Sequence, residues 1–325
     1  MTSVRDTANT GGMERYLEKQ SASVVLLVRP AAFGFNVDAA ESNVFSHASS
    51  DSDIPLRARA EFERLAERLS GAGVEIVVLD DTAEPAKPDA VFPNNWVSFH
   101  ADGTMVLYPM ATAPRRLERR RASEVGSLLE NRGFEVRRTV DLSGHEEAGR
   151  FLEGTGSMVL DRTRHRAYAN RSPRTDPDVI AKFDRQLGYS TFVFDARDPG
   201  GRPIYHTNVL LSLGTRFAVL CVDAVVPEHR ERLIEEIEAS GRTIVELSFA
   251  QLRRFGCNLL ELRNGRGDPV IALSAKAKSN LRPDQARALE DLGGELVAAD
   301  IPTIEAVGGG SVRCMIAEIH LPRRG

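Results

Sequence analysis

Cys314 is the cysteine whose surroundings best suit nucleophilic chemistry. It lies in the stretch GGGSVRCMIAEIHLP, where three glycines and Arg313 precede the sulfur. A neighbouring cation and backbone N–H groups both favour the thiolate, which is the nucleophilic form of cysteine. The glycines fit two interpretations: a tight turn before a buried strand, or a close approach of a substrate to the sulfur. Cys221 and Cys257 lie in apolar segments and are interpreted as buried structural thiols.

A nucleophilic cysteine needs a group that carries protons, and His206 is the candidate. It begins the apolar run HTNVLLSLG, where the alternation of a strand would place His206 and Asn208 on the same side. Glu153 directly precedes a Gly-Thr-Gly turn and a predicted buried strand, so its carboxylate could point into a cavity. For His206 and Glu153 the plainer interpretation, a solvated or structurally hydrogen-bonded side chain, stays open.

The segment PDAVFPNNWVSF, which contains Asp89, places two asparagines and the only tryptophan between two apolar runs. This pattern is compatible with an Asx-type turn over a buried Trp96. The alternative is a pocket wall in which the amides of Asn94 and Asn95 hydrogen-bond a neutral polar ligand.

Helical and strand patterns alternate around these residues in a regular rhythm. A unit of hairpin, helix and strand recurs about five times, as expected for radial or stacked repetition of one supersecondary unit. Apolar spacing predicts that the first long helix buries one face, formed by Leu56, Phe62, Leu65 and Leu69.

Two further elements bear on the site. A second helix is predicted over residues 114–132, with its basic run RRLERRR on a solvated face. The last strand is predicted to begin at Val312 and therefore to contain Cys314.

Composition limits the class of protein. The 325 residues are 42% hydrophobic and 27% charged, with a net charge of −4. We expect a flexible tail over residues 1–20 and one catalytic domain over residues 21–325. No apolar run approaches the roughly 18 residues of a membrane span, and the N-terminus lacks a signal-peptide pattern. Three scattered cysteines suit a reducing cytoplasm.

The sequence also predicts which ligands are absent. It has no glycine fingerprint for phosphates, so no cofactor is expected. The histidines and cysteines have no close metal-ligand spacing, so no metal is expected. The basic run lacks interleaved aromatic residues, which argues against nucleic-acid binding. A small-molecule amino-acid substrate is expected, and a homo-oligomer is left open.

Five segments in this order resemble the guanidino-group modifying enzymes: VFPNNW, EGTGSMVLDR, ANRSPRT, HTNVLLS and GGGSVRCM. The resemblance spans nearly the whole chain. It is closest to the arginine deiminase-related branch that is often labelled amidinotransferase and includes the citrulline utilisation hydrolases. It implies the α/β pentein fold, a five-bladed α/β propeller of ββαβ repeats around a pseudo-fivefold axis.

The resemblance also implies roles for single residues. Cys314 would be the nucleophile and His206 the general acid and base. Glu153 would bind a substrate nitrogen beside the histidine. Asp89 and Arg313 are further candidates for substrate binding.

Three asparagines depart from the deiminase pattern. Deiminases carry F-x-R-D where this chain has FPNN, ending at Asn95, and H-x-D where it has His206, Thr207 and Asn208. A guanidinium ion offers only donors and a permanent charge, whereas a neutral ureido group also offers an acceptor oxygen. The amides of Asn95 and Asn208, which stand where deiminases have aspartates, therefore favour citrulline, hydrolysed to ornithine, CO2 and ammonia through an S-carbamoyl intermediate on the cysteine.

Other functions remain open. One is an arginine or methylarginine deiminase or dihydrolase that uses Glu153 and an acid such as Asp89. Another is an amidinotransferase, which needs room for a second substrate. A pentein-fold binding protein without catalysis is the alternative from a different class.

Overall fold

The fold is a closed ring of five small sheets. The computed structural model describes residues 18–40, 43–49 and 51–324. Within these residues, every sheet has three strands, and the central strand pairs antiparallel with one neighbour and parallel with the other. The C-terminal strand pairs with the first strand of the chain and closes the ring. This arrangement confirms the predicted pentein propeller.

The strands are labelled β1 to β15 in chain order: Val24–Arg29, Glu75–Asp80, Val97–Phe99, Thr104–Leu107, Arg138–Asp141, Met158–Asp161, Arg166–Asn170, Ser190–Phe194, Leu211–Leu213, Phe217–Leu220, Thr243–Glu246, Leu260–Arg263, Pro269–Ser274, Glu295–Ala299 and Ala317–Glu318. The blades are β15-β1-β2, β3-β4-β5, β6-β7-β8, β9-β10-β11 and β12-β13-β14.

The helices are labelled α1 to α10: Val37–Ala40, Ile54–Gly71, Ala113–Arg119, Ala122–Asn131, Gly154–Ser157, Pro177–Leu187, Pro227–Glu238, Phe249–Leu252, Ala275–Ser279 and Pro283–Gly293. The longer ones connect the central strand of a blade to its third strand and pack apolar faces on the sheets. None of the helices in the described part of the chain is long and apolar enough to cross a membrane.

Helix α2 buries most of the predicted face but not all of it. Phe62, Leu65 and Leu69 are buried, whereas Leu56 is 70% exposed, so its predicted burial is wrong. The buried stripe begins at Ile54, and two residues further on the helix has turned by about 200°. Leu56 therefore points to solvent.

The predicted helix over residues 114–132 is two helices, α3 and α4, separated at Arg120 and Arg121. The break separates a first helix that buries Arg115 from a second that buries Val125 and Leu129. The prediction that the whole basic run lies on a solvated face is therefore wrong for Arg115.

The end of the predicted N-terminal tail is packed against the propeller. Residues 1–17 lie outside the described residues. Glu18 and Gln20 are buried, and the Gln20 side-chain amide donates to the carbonyl of Leu160. The end of the predicted tail thus contributes polar side chains to the protein interior.

Candidate active site

Four short turns that lead into the first strands of blades contain or directly follow the predicted site residues other than Asp89. They are Pro93–Asn95, α5, Thr207–Val209 and Val312–Met315. The ring closure of the blades brings neighbouring turns into contact near the pseudo-fivefold axis. Cys314 therefore lies in a turn, and its predicted place inside the last strand is wrong because β15 begins only at Ala317.

Cys314 and His206 line the same small cavity, which we call the inner cavity. Its volume is about 20 Å³, and Asp89, Asn95 and Arg174 are among its other lining residues. Both Cys314 and His206 are almost fully buried. The fold thus brings together a thiol, an imidazole and a carboxylate that lie far apart in the sequence.

Glu153 lies behind His206 and orients it. The carboxylate Oε2 lies 2.9 Å from His206 Nε2 and 3.3 Å from a guanidinium nitrogen of Arg174. Burial alone would raise the pKa of Glu153, but the Arg174 charge and the His206 hydrogen bond hold it well below its ordinary value. Glu153 is therefore a carboxylate, and it fixes Nε2 as the protonated nitrogen of a neutral imidazole.

The environment keeps His206 ready to accept a proton. Burial lowers the pKa of His206, and the Glu153 carboxylate opposes that effect only in part. The other ring nitrogen, Nδ1, lies close to Gly156, and so does Asn95 Nδ2. A Cβ added at Gly156 would come 2.8 Å from Nδ1 and 2.4 Å from Asn95 Nδ2. A side chain at Gly156 would therefore displace the imidazole.

Two side-chain amides donate to the sulfur of Cys314. Asn208 Nδ2 lies 3.5 Å from Sγ and Asn258 Nδ2 lies 3.4 Å from it. Asn258 also donates to the carbonyl of Asn208 and accepts from the backbone N–H of Arg313. Sγ also lies 3.8 Å from Asn258 Oδ1, so the two asparagines hold the sulfur in place.

Asn258 was missed by the sequence analysis, although a pattern marks it. Asn95, Asn208, Asn258 and Cys314 each precede two apolar residues at the start of a blade. Comparing the five repeat starts would have singled out the asparagine beside Cys257. Cys257 itself is buried and its pKa is raised by burial, as a structural thiol requires.

Arg115 was missed for a different reason, since the basic run around it predicts exposure. Its guanidinium donates to Asn95 Oδ1 at 2.6 Å, to the Phe92 carbonyl at 2.9 Å and to both oxygens of Glu118. Because Arg115 holds the oxygen of Asn95, Asn95 turns its Nδ2 elsewhere. That nitrogen is buried without a hydrogen-bond partner among the described residues.

Asp89 is a buried carboxylate that accepts a hydrogen bond from Asn36 Nδ2 at 2.6 Å. Burial raises the pKa of Asp89, and the charges of Arg115 and Arg174 offset this only in part. Arg174 donates to the Ala39 carbonyl as well as to Glu153. The segment from Asn36 to Ala39 thus covers the inner cavity through polar contacts.

Three predicted substrate-binding residues, Asn94, Asn208 and Arg313, do not line the inner cavity, although Asn208 donates to Cys314 Sγ. Asn94 donates to Thr155, and neither Asn94 nor Asn208 lines the inner cavity. Arg313 donates to the Ile316 carbonyl and to Glu318, and it lines a separate cavity with Glu318. Strand alternation from His206 to Asn208 does not apply, because Thr207–Val209 is a 3-10 turn.

The glycines before Cys314 serve close packing. A Cβ at Gly310 would come 2.8 Å from the Phe92 ring, and Gly309 has a φ of +65°, which favours glycine. Among the described residues, no cluster of three or more His, Cys, Asp or Glu side chains could hold a metal ion.

Comparison with solved structures gives the same fold at low sequence identity. The arginine dihydrolase ArgZ from the ornithine–ammonia cycle in cyanobacteria has a TM-score of 0.71 and 18% identity, covering 93% of this chain and 41% of ArgZ. The N-terminal domain of ArgZ, a cysteine-to-serine variant bound to substrate, has a TM-score of 0.70 and 17% identity, covering 92% of this chain and 99% of that domain.

A third structure is a dimethylarginine dimethylaminohydrolase variant in an adduct with S-methyl-L-thiocitrulline. Its TM-score is 0.62 at 15% identity, covering 91% of this chain and 99% of the other. The comparison with curated proteins gave no match. A sequence profile described as N,N dimethylarginine dimethylhydrolase, eukaryotic, matches residues 29–321. The chain belongs to this family, within the guanidino-modifying pentein enzymes.

Proposed function

We propose that this chain is a cysteine-dependent arginine dihydrolase, which hydrolyses the guanidino group of arginine to give ornithine, CO2 and two ammonia molecules. The observation that carries the proposal is the inner cavity, where Cys314 and His206 meet beside the buried carboxylate of Asp89. We assign the activity to residues 21–325 as one catalytic domain.

The position of the asparagines favours arginine over citrulline as the first substrate. The argument against a cation placed the amides of Asn95 and Asn208 around the end group, but only Asn95 lines the inner cavity. The carboxylate of Asp89 lines it too, and a buried carboxylate is a natural partner for a cationic group. The solved relatives named for arginine or dimethylarginine support the same choice.

The covering segment suggests how an amino acid binds. Asn36 donates to Asp89, and the Ala39 carbonyl accepts from Arg174. A cationic group of arginine would replace the first contact and its carboxylate would replace the second. Because the cavity of about 20 Å³ is much smaller than arginine, binding requires this segment to move outward.

The first half of the reaction releases one ammonia. The Cys314 thiolate attacks the guanidino carbon, and the amides of Asn208 and Asn258 stabilise the sulfur before attack. His206 carries the proton to the leaving nitrogen while Glu153 stabilises the imidazolium. His206 then activates a water molecule, which displaces the sulfur and leaves a ureido group.

The second half acts on that ureido group. Its oxygen is an acceptor, and the unpaired Nδ2 of Asn95 is a donor at the cavity wall. Attack by Cys314 releases ornithine and forms an S-carbamoyl group, and water then releases carbamate, which breaks down to CO2 and ammonia. The whole reaction consumes two water molecules. Hydrolysis of citrulline, the reaction predicted from the sequence, is thus the second stage of the proposed reaction. In support, a variant of the ArgZ domain has been captured covalently bound to a reaction intermediate.

Product analysis tests this function. Purified protein is incubated separately with arginine, citrulline and dimethylarginine, and products are quantified by mass spectrometry. We expect ornithine from arginine, with two ammonia molecules for each ornithine. Citrulline as the final product of arginine would make the chain a deiminase. Ornithine from citrulline but not from arginine would restore the citrulline hydrolase, and turnover of dimethylarginine alone would assign the activity named by the family profile.

A further inference from the structure

A second cavity lies on the other side of Tyr205 from the inner cavity. This outer cavity has a volume of about 420 Å³, within the range of roughly 300–1,000 Å³ that is typical of small-molecule sites. Tyr205 lines both cavities, and its hydroxyl donates to the Gly309 carbonyl. The outer cavity is therefore separate from the proposed catalytic centre but shares one wall with it.

One wall of the outer cavity is aromatic. Phe45, Tyr205, Phe249 and Phe255 line it, and the Phe45 ring centroid lies 5.2 Å from that of Phe255 and 6.2 Å from that of Tyr205. The Phe45 ring is tilted by 40° against Phe255 and by 57° against Tyr205, so ring faces and edges form an apolar wall that suits an aromatic ligand.

The backbone of Phe255 adds a second observation. Its φ of +60° is rare for a bulky side chain and strains the backbone. Such strain persists only where the surrounding structure imposes it, and it is found preferentially at functional sites. Here it holds the ring between Phe45 and Lys276, whose Nζ lies 5.1 Å from the ring centroid.

Charge at the outer cavity is unbalanced. Lys276 pairs with Glu305 at 3.4 Å, and Arg202 pairs with Asp198 at 3.0 Å. Arg253 lines the cavity and is exposed, and no side-chain hydrogen bond or ion pair joins it to any described residue. The lining arginines and lysine therefore exceed the lining carboxylates by one positive charge.

We propose that the outer cavity binds a small anion with a flat apolar body, of the class of aromatic carboxylates. The rings of Phe45 and Phe255 contact the body of the ligand, and Arg253 pairs with its carboxylate. The ligand would touch Tyr205 and Glu305, and Glu305 accepts a hydrogen bond from Ser311 at 2.7 Å, three residues before the proposed nucleophile.

Isothermal titration calorimetry with 2-naphthoate tests the site. The protein is the full chain with Cys314→Ser, so binding is measured whether or not the proposed function is correct. We expect a Kd below about 1 mM, and binding at least about tenfold weaker for 2-naphthylmethylamine, which has the same rings and a positive charge. Absence of naphthoate binding, or equal affinity for the two compounds, would overturn the proposal.

A matched pair of substitutions locates the ligand. Arg253→Glu should weaken naphthoate binding at least about threefold, because attraction becomes repulsion. Arg254→Glu, the exposed neighbour that does not line the cavity, should leave the affinity unchanged. Equal effects of both substitutions would mean that only net charge matters and would contradict the site. Saturating ornithine should not displace naphthoate. Competition would place naphthoate in the inner cavity and refute the proposal.

Discussion

The inner cavity and the axial charge cluster, which we define as Glu18, Arg162, Arg313 and Glu318, both bury carboxylates but pair them differently. Glu18 accepts from Arg162 and from the Tyr189 hydroxyl. Glu318 accepts from Arg313 and also pairs with Arg162. In the inner cavity, by contrast, the side chain of Asp89 accepts a hydrogen bond from the neutral amide of Asn36, and no ion pair joins it to a described residue.

This difference in the pairing of carboxylates distinguishes a structural charge cluster from a substrate-binding site. A buried carboxylate with cationic partners from the protein has its charge compensated in the folded state. Burial alone would raise the pKa values of Glu18 and Glu318, but the charge of Arg162 together with His320 and the side-chain hydrogen bonds lowers both to about 2. The pKa of Asp89 is raised, because burial dominates. We infer that a cationic group of the bound substrate pairs with Asp89.

The largest expected effect follows loss of the nucleophile. Cys314→Ala should lower kcat/KM for arginine by at least about 10⁴-fold, since no other cysteine lines the inner cavity. Cys257→Ala, a buried thiol outside the cavity, should keep activity within a few fold after correction for folded protein. Steady-state kinetics on both variants checks this, and equal losses would contradict the assignment.

Removing the carboxylate behind His206 comes next. Glu153→Gln should lower kcat by about 10²- to 10⁴-fold, because the imidazole loses its orientation and its charge partner. It should also shift the pH profile. Glu153 raises the pKa of His206, so its loss lowers that pKa further and keeps the base neutral at lower pH. The acidic limb of the kcat profile should therefore move to lower pH, and a shift to higher pH would contradict this role.

Asp89→Asn tests directly whether Asp89 pairs with a cationic group of the substrate. KM for arginine should rise about 10- to 100-fold with a smaller change in kcat, because a charged contact to the bound substrate is lost. Measuring citrulline beside arginine shows which cationic group Asp89 binds. A rise for both indicates the ammonium group, and a rise for arginine alone indicates the guanidinium group. Unchanged KM values would remove Asp89 from the site.

Asn258→Ala should have a moderate effect. Loss of one of the two amide donors to Sγ should reduce kcat/KM by about tenfold and slow alkylation of Cys314 by iodoacetamide. Asn280→Ala, at the end of α9 and away from the inner cavity, is the control. If the two variants alkylate at the same rate as the unmodified protein, Asn258 has a structural role alone.

The axial charge cluster should affect stability and leave activity nearly unchanged. Glu18→Gln should lower the free energy of unfolding at pH 7 by about 3 kcal/mol. Because the pKa of Glu18 is lowered to about 2 in the folded state, its contribution is present above about pH 4.5 and is lost as pH falls towards 2. Urea unfolding at pH 7 and pH 3 should show a smaller difference at pH 3. A difference that grows at pH 3 would contradict the pairing.

The fold was predictable because apolar alternation marks the central strands and the blades repeat. Residue type, and the small-residue turns beside two of them, single out Cys314, His206 and Glu153 as candidates, and their catalytic roles stay predictions. These signals are local, so a single sequence carries them.

The rest of the site depends on contacts between distant segments. Arg115 is buried by Asn95 and Phe92, about twenty residues earlier, and its basic neighbours conceal this. The side on which Asn208 lies could not be predicted, because the chain makes a 3-10 turn where strand alternation was assumed. Such turns are set by the packing of neighbouring blades and not by the alternation of apolar residues.

The central claim is that Cys314 attacks the guanidino carbon. The most direct measurement is acid quenching of the enzyme during turnover of arginine labelled with ¹³C at that carbon, followed by peptide mass spectrometry. The account predicts a labelled adduct on the peptide that contains Cys314 and none on peptides with Cys221 or Cys257. Turnover of arginine without any labelled cysteine, or with the label on another residue, would contradict it.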